Sequence, residues 1–268
     1  MRPGKLVSII VLVFFSGTPL FASSAKFDGK NQFSNIAVIS AADLHARLSN
    51  ILLVDVRSPY EFKLMHIKGA FNQPATDFNF IKKVKTLHEQ YNNRQIVFYC
   101  NGGQCIKSFQ AARRFMNRYP QTISVYDDGL KNWVAAYPHQ SVMEGQSPVV
   151  SAQLLNENLL KKHLLSTTAF SQKVAERQAI LLDIRDRTQR EMLSLFIGYE
   201  FHTSLDDAKL FNKYIARAIA ENKTLLVYDA VGKQVEWLMY YLEAKGIKSY
   251  FFLKGGAEQY FRDITASL

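Results

Sequence analysis

The stretch Ile96-Val97-Phe98-Tyr99-Cys100-Asn101-Gly102-Gly103-Gln104-Cys105, with a helical run over 106–117 behind it, decides how this chain is read. Strand-forming residues end on a thiol, a loop with two glycines follows, and an amphipathic segment begins at once. A sulfur at that junction sits among backbone N–H groups at a helix start, which stabilise negative charge and favour a thiolate. The glycines let the loop curl so that several amides point inward, a nest for an anion and the sulfur together. Cys100 is therefore a candidate nucleophile, and the plain alternative is a buried, inert cysteine.

Outward from this stretch, short apolar runs alternate with amphipathic ones between residues 34 and 140. The pattern predicts strands over 36–39, 52–55, 96–99 and 123–126 and helices over 41–48, 78–91, 106–117 and 130–136. Continuous Val, Ile, Leu and Phe strands separated by helices imply an α/β fold, a parallel sheet with helices on both faces. Ligands of such sheets bind beyond the carboxyl ends of the strands, where Cys100 stands.

Residues 141–149 lack periodicity and read as a linker, after which the pattern restarts over 150–268. Residues 150–155 echo 39–44, 182–185 echo 54–57, 225–229 echo 96–100, and 255–260 echo 128–133. Matching order and spacing imply a duplication, with Asp229 in the second copy where the first has its thiol. A carboxylate at that place performs no sulfur chemistry.

The chain's 268 residues, 48% of them hydrophobic, suffice for one or two globular cores. Residues 1–25 differ in kind: Arg2 and Lys5, an apolar run over 6–15, then Ala22-Ser23-Ser24-Ala25. That is the layout of a secretory signal peptide, and the apolar run is shorter than the roughly 20 residues a membrane span needs. The expectation is a periplasmic or secreted protein with no stable membrane span after cleavage, in an oxidising compartment for its two cysteines. The net charge of +10 suits anionic small substrates or an acidic membrane surface, while no interleaved basic and aromatic run points to nucleic acid.

Several segments together resemble the rhodanese (sulfurtransferase) superfamily. They are Asp55-Val56-Arg57-Ser58-Pro59-Tyr60-Glu61-Phe62, then His66 through Pro74, the Cys100 loop with Lys107-Ser108 and Ala111-Ala112, and Asp128-Gly129 through Trp133. The resemblance implies two rhodanese-like domains, an active one over 34–140 and an inactive one over 150–268. It also implies a sulfurtransferase: Cys100 takes a sulfane sulfur from thiosulfate or a persulfide, becomes a persulfide and passes the sulfur to a thiophilic acceptor. A small donor and a thiol acceptor are the implied partners, a periplasmic thiol protein or reductant among them, with no cofactor and no metal. Related phosphatases of this fold place an arginine after five residues, a position held here by Ile106, so no guanidinium meets a phosphate and sulfur transfer is preferred.

Within that frame Asn101, Gly102, Gly103, Gln104 and Cys105 form the expected substrate and anion-binding loop, and Asp55, Arg57, Lys107 and Ser108 support it. Many active members carry basic residues at the positions of Asn101 and Cys105, so this more neutral loop suits a protein persulfide or another less charged donor. Cys105 either simply ends the loop or forms a redox pair with Cys100, attacking the persulfide, releasing sulfide and leaving a disulfide. Asp55 and Arg57 read as a structural ion pair, Glu61 and His66 as structural, and Trp133 and Tyr260 as core. The six histidines lack close ligand spacing, two cysteines leave Zn²⁺ incompletely coordinated, and a copper(I) site on the pair stays an alternative. Neither a Walker loop nor a Gly-x-Gly-x-x-Gly dinucleotide turn is present, so no nucleotide cofactor is expected. The different class of function is a non-catalytic module in which Cys100 and Cys105 sense oxidation or bind a thiol partner.

Overall fold

The computed structural model describes residues 30–186, 189–191 and 194–267; the segment read as a signal peptide lies outside them. In chain order the first half contains β1 (Ala37–Ile39), α1 (Ala41–Arg47), β2 (Ile51–Asp55), α2 (Pro59–Leu64), β3 (Met65–Ile67) and β4 (Phe71–Asn72). It continues with α3 (Phe80–Gln90), β5 (Gln95–Tyr99), α4 (Lys107–Met116), β6 (Ile123–Tyr126), α5 (Leu130–Ala136) and β7 (Ser141–Met143). The second half contains α6 (Glu157–His163), β8 (Leu164–Leu165), α7 (Thr167–Ala175), β9 (Ala179–Asp183) and β10 (Glu200–His202). It ends with α8 (Ala208–Ala220), β11 (Thr224–Tyr228), α9 (Gln234–Ala244), β12 (Tyr250–Leu253) and α10 (Gly256–Ala266).

Two five-stranded sheets result, both parallel throughout, in the orders β1-β6-β5-β2-β4 and β8-β12-β11-β9-β10. The same topology appears in each half. The α/β architecture of parallel sheets flanked by helices is the one the sequence pattern implied. Period-two alternation explains why each sheet has two buried faces: Leu52 and Val54 join one apolar cluster while Ile51 and Leu53 join the other. The registers correspond as well, with Asp55 beside Tyr99 in the first sheet and Asp183 beside Tyr228 in the second.

Two segments differ from the sequence reading. Part of the stretch read as a linker, Ser141–Met143, is β7, antiparallel to β3 with Met65 opposite Met143 and Ile67 opposite Ser141. Three residues carry too little periodicity to reveal a strand whose partner lies so far away in the chain. The echo at 150–155 is displaced: Ser151–Gln153 form a short 3₁₀ turn. The counterpart of β1, Ser40 and α1 is β8, Ser166 and α7, where each serine caps its helix by accepting an N–H, from Asp43 at 3.1 Å and from Ala169 at 3.3 Å. Residues α2, β3 and β4 occupy were assigned no secondary structure from the sequence. A capping box of Ser58 and Glu61 starts α2 after the end of β2.

Candidate active site

β5 carries the chain through the middle of the first sheet, so Cys100 emerges at its carboxyl end, buried at 1% exposure. The loop then turns sharply, with Cys105 N–H donating to Gly102 O at 3.1 Å, before α4 begins at Lys107. Gly102 has φ +74°, and a Cβ there would lie 2.4 Å from Gly129 Cα, so the loop packs backbone to backbone on the turn after β6.

Cys100 Sγ lies 3.3 Å from Cys105 O, to which the thiol donates, and 3.4 Å from Ser108 Oγ. Burial alone raises a thiol's pKa. Here the Cys105 thiol, the Ser108 hydroxyl and the backbone N–H groups of Gly102 and Ser108 outweigh it and bring Cys100 down to about 6. The same hydrogen bond, with burial, holds Cys105 well above the ordinary thiol range. The two thiols titrate as a pair, with the more readily lost proton on the Cys100 side. Both cysteines are free.

The supporting residues form a buried network beside the loop. Arg57 is held by Asp55 through Nε to Oδ1 at 3.0 Å and Nη2 to Oδ2 at 2.6 Å, and Nη2 also donates to Met65 O at 2.6 Å. The Asn101 side chain turns into this network: its Nδ2 donates to Glu61 Oε1 at 2.7 Å, and its Oδ1 accepts from Arg57 Nη1 at 3.3 Å and from Trp237 Nε1 at 2.7 Å. Lys107 Nζ meets Asp186 Oδ2 at 2.6 Å. Burial works against the charge on Lys107, but Asp186, Glu61 and Cys105 together raise its pKa.

Of the residues singled out from the sequence, Cys105 and Ser108 lie against the sulfur. Asn101 and Lys107 serve the frame, and Gly103 and Gln104 form the exposed apex. That apex borders two adjoining hollows of about 360 and 710 Å³, whose shared wall is Gly103, Leu160, Leu164, Lys233 and Glu236; Cys100 lines neither. His66 is satisfied locally, with Nδ1 at 2.8 Å from Phe62 O. Trp237 and Asp186 were missed, because nothing in local sequence ties residues so far along the chain to this loop.

The second half repeats the frame without the sulfur. Arg185 grips Asp183 as Arg57 grips Asp55, at 3.0 Å to Oδ1 and 2.8 Å to Oδ2. Asp229 follows β11 and is fully buried, its Oδ2 accepting N–H groups of Gln234 at 2.5 Å and Val235 at 3.3 Å while Oδ1 accepts that of Gly232. Among the described residues, Asp183, Glu200 and His202 also converge as metal-ligand types. The Arg185 cation already engages Asp183 there.

Residues 40–136 match the model of the Rhodanese-like domain. Over 74 residues the chain is 36% identical to a tRNA uridine(34) hydroxylase of Buchnera aphidicola, covering 26% of this chain and 24% of that protein. Over 97 residues it is 32% identical to an HTH-type transcriptional regulator of Mycobacterium tuberculosis, covering 35% of this chain and 40% of that one. The matched stretch thus spans well under half the length of these curated relatives. A thiosulfate sulfurtransferase structure from Pseudomonas aeruginosa aligns with TM-score 0.35 and 20% identity, over 85% of this chain and 42% of that chain. The rhodanese-like match covers the Asp55–Arg57 frame, the Cys100 loop and the Gly129 turn.

Proposed function

We propose that the protein is a sulfurtransferase in which Cys100 carries the sulfur. The carrying observation is a thiol at the carboxyl end of β5 with Ser108 Oγ 3.4 Å from Sγ, and the Cys105 thiol, the Ser108 hydroxyl and loop amides lower its pKa. The Cys100 thiolate attacks the outer sulfur of thiosulfate or of a persulfide. The new S–S bond forms as the donor's S–S bond breaks, sulfite or a thiolate leaves, and Cys100 becomes a persulfide. An acceptor thiolate then takes the terminal sulfur and returns Cys100 to the thiolate. The N–H groups that stabilise the first sulfur stabilise the persulfide anion as well. Cys105 is held protonated beside Cys100, its pKa well above the ordinary thiol range. Its raised pKa weighs against Cys105 as an early attacking nucleophile.

In this reading the chain is a tandem of rhodanese-like units, the second silent because Asp229 occupies its nest. Matching strand order and matching Asp–Arg pairs support that reading. The layout of residues 1–25 supports export, with a periplasmic or secreted thiol as acceptor. The presence of two free thiols in one loop, Cys100 and Cys105, favours a second reading, a redox-sensing or thiol-partner-binding module.

Intact-mass measurement after incubation with thiosulfate or a low-molecular persulfide separates the two. The expected result is one added sulfur, about 32 Da, on the wild type and none on Cys100→Ser. No added mass with either donor overturns sulfur transfer and leaves the second reading.

A further inference from the structure

We infer that the second half is a working part of the Cys100 site: Trp237 and Asp186 are positioning residues that hold the two ends of the sulfur loop. The consequence for activity rests on Cys100 as the reacting thiol; the positioning itself does not depend on sulfur transfer.

At the loop's beginning the Asn101 amide is engaged on three sides, by Glu61, Arg57 and Trp237 Nε1, the last across 136 positions of sequence at 2.7 Å. Trp237 is itself fixed. It is 2% exposed, packs in an apolar cluster of the first half, lies with its ring 5.2 Å from Arg57 Cζ, and its carbonyl accepts from Tyr60 Oη at 3.3 Å. At the loop's end, Lys107 is tied to Asp186 by an ion pair whose side chains are only 9% and 8% exposed. Between these ties lie Gly102 and Gly103, at φ +74° and +64°, the segment with the most backbone freedom to lose.

The second loop shows why ties from outside are needed. Asp229 gathers the amides of Gly232, Gln234 and Val235 on its own carboxylate, a strong acceptor with room for several N–H groups. A protonated thiol accepts hydrogen bonds weakly, so before it ionises Cys100 cannot organise its loop as a carboxylate does. Trp237 and Asp186 supply from the second half what Asp229 supplies from within its own loop. Without them the loop between Asn101 and Lys107 loses its fixed ends, and Ser108 Oγ no longer keeps its place 3.4 Å from Sγ.

The test compares full-length wild type with Trp237→Phe, which keeps the ring and removes the donor, and with Asp186→Asn and Asp186→Glu. Trp133→Phe is the control, since Trp133 Nε1 donates to Gln140 O at 3.1 Å within the first-half core. Two readouts are taken: hydrogen exchange of the peptide over 101–108, and the pH profile of Cys100 alkylation by iodoacetamide, followed by peptide mass. Trp237→Phe and Asp186→Asn are expected to speed exchange of that peptide about tenfold and to raise the alkylation midpoint by about one pH unit. Asp186→Glu retains most of the wild-type profile, and Trp133→Phe lowers stability without moving either readout. Unchanged exchange in both folded variants overturns the proposal, even if the buried thiol alkylates too slowly to give a profile. No sulfur donor enters this test, so failure of sulfur uptake by the wild type counts against the sulfurtransferase reading alone.

Discussion

The two strand-to-helix loops that follow β5 and β11 are built on one plan and hold their anion differently. Each leaves a central parallel strand, each is backed by an Asp–Arg pair in the same register, and each presses against a glycine in the turn after the next strand. In the second loop the negative group is a carboxylate that accepts three N–H groups of its own loop. In the first it is a thiol, with Ser108 and Cys105 beside it and a hub at Asn101 reaching both halves. A carboxylate at the nest makes a finished structural joint, whereas a sulfur leaves an anion stabilised yet chemically able to form a new bond.

The largest effect expected from that comparison concerns the glycine contacts. A Cβ on Gly129 would stand 2.1 Å from Asn101 O at φ +85°, and one on Gly256 would stand 2.6 Å from Asp229 O at φ +64°. Gly129→Ala and Gly256→Ala are each expected to cost about 3 kcal/mol or more, read by urea unfolding. Tolerance of alanine at one site and not the other would show that the loops are not packed on a common plan.

Asp229→Ala comes next. It strips a buried acceptor from Gly232, Gln234 and Val235, for an expected loss of about 2–3 kcal/mol in the same measurement. Cys100→Ser, which leaves a hydroxyl near the Ser108 group, is expected to cost less than that at pH 6.

The pH response separates the loops further. The Cys100 pKa is lowered from 9.0 to about 6, so between those values the unfolded chain holds a proton that the folded chain has released. Stability from this group is therefore fully present above about pH 9, declines as pH falls through the window, and is gone below about 6. Cys105 shifts the opposite way, so its contribution is present below the ordinary thiol range and is lost only at higher pH. Unfolding free energy measured from pH 6 to 9 is expected to rise more steeply for wild type than for Cys100→Ser. Equal slopes would show that the thiolate is not favoured by the fold. The smallest effect is that of Ser108→Ala, which removes a hydroxyl 3.4 Å from Sγ and is expected to raise the alkylation midpoint of Cys100 by about half a unit.

Much of this architecture was legible in residue order. Runs such as Leu52-Leu53-Val54 and Ile96-Val97-Phe98 are apolar on both faces, which few arrangements other than a helix-covered parallel sheet can satisfy. The thiol, its glycines and the following helix are contiguous, so the candidate site could be placed from a single segment. The short pieces α2, β3, β4 and β7 were not legible, because strands of two or three residues take their conformation from partners that the local pattern does not name. The misplaced echo at 150–155 has the same origin: a serine cap is repeated at Ser166, after an edge strand of only two residues.

Sequence by itself determined the α/β class, the place of Cys100 at a strand end, and the exchange of thiol for carboxylate at Asp229, because these follow from periodicity and chain order. Tertiary structure decided that Asn101 faces Trp237 instead of the sulfur, that Lys107 is neutralised by Asp186, and that Cys100 Sγ lies against Cys105 O and Ser108 Oγ. Hydrogen bonds and ion pairs between distant residues depend on where the two sheets bring their loops, and no local pattern encodes that meeting.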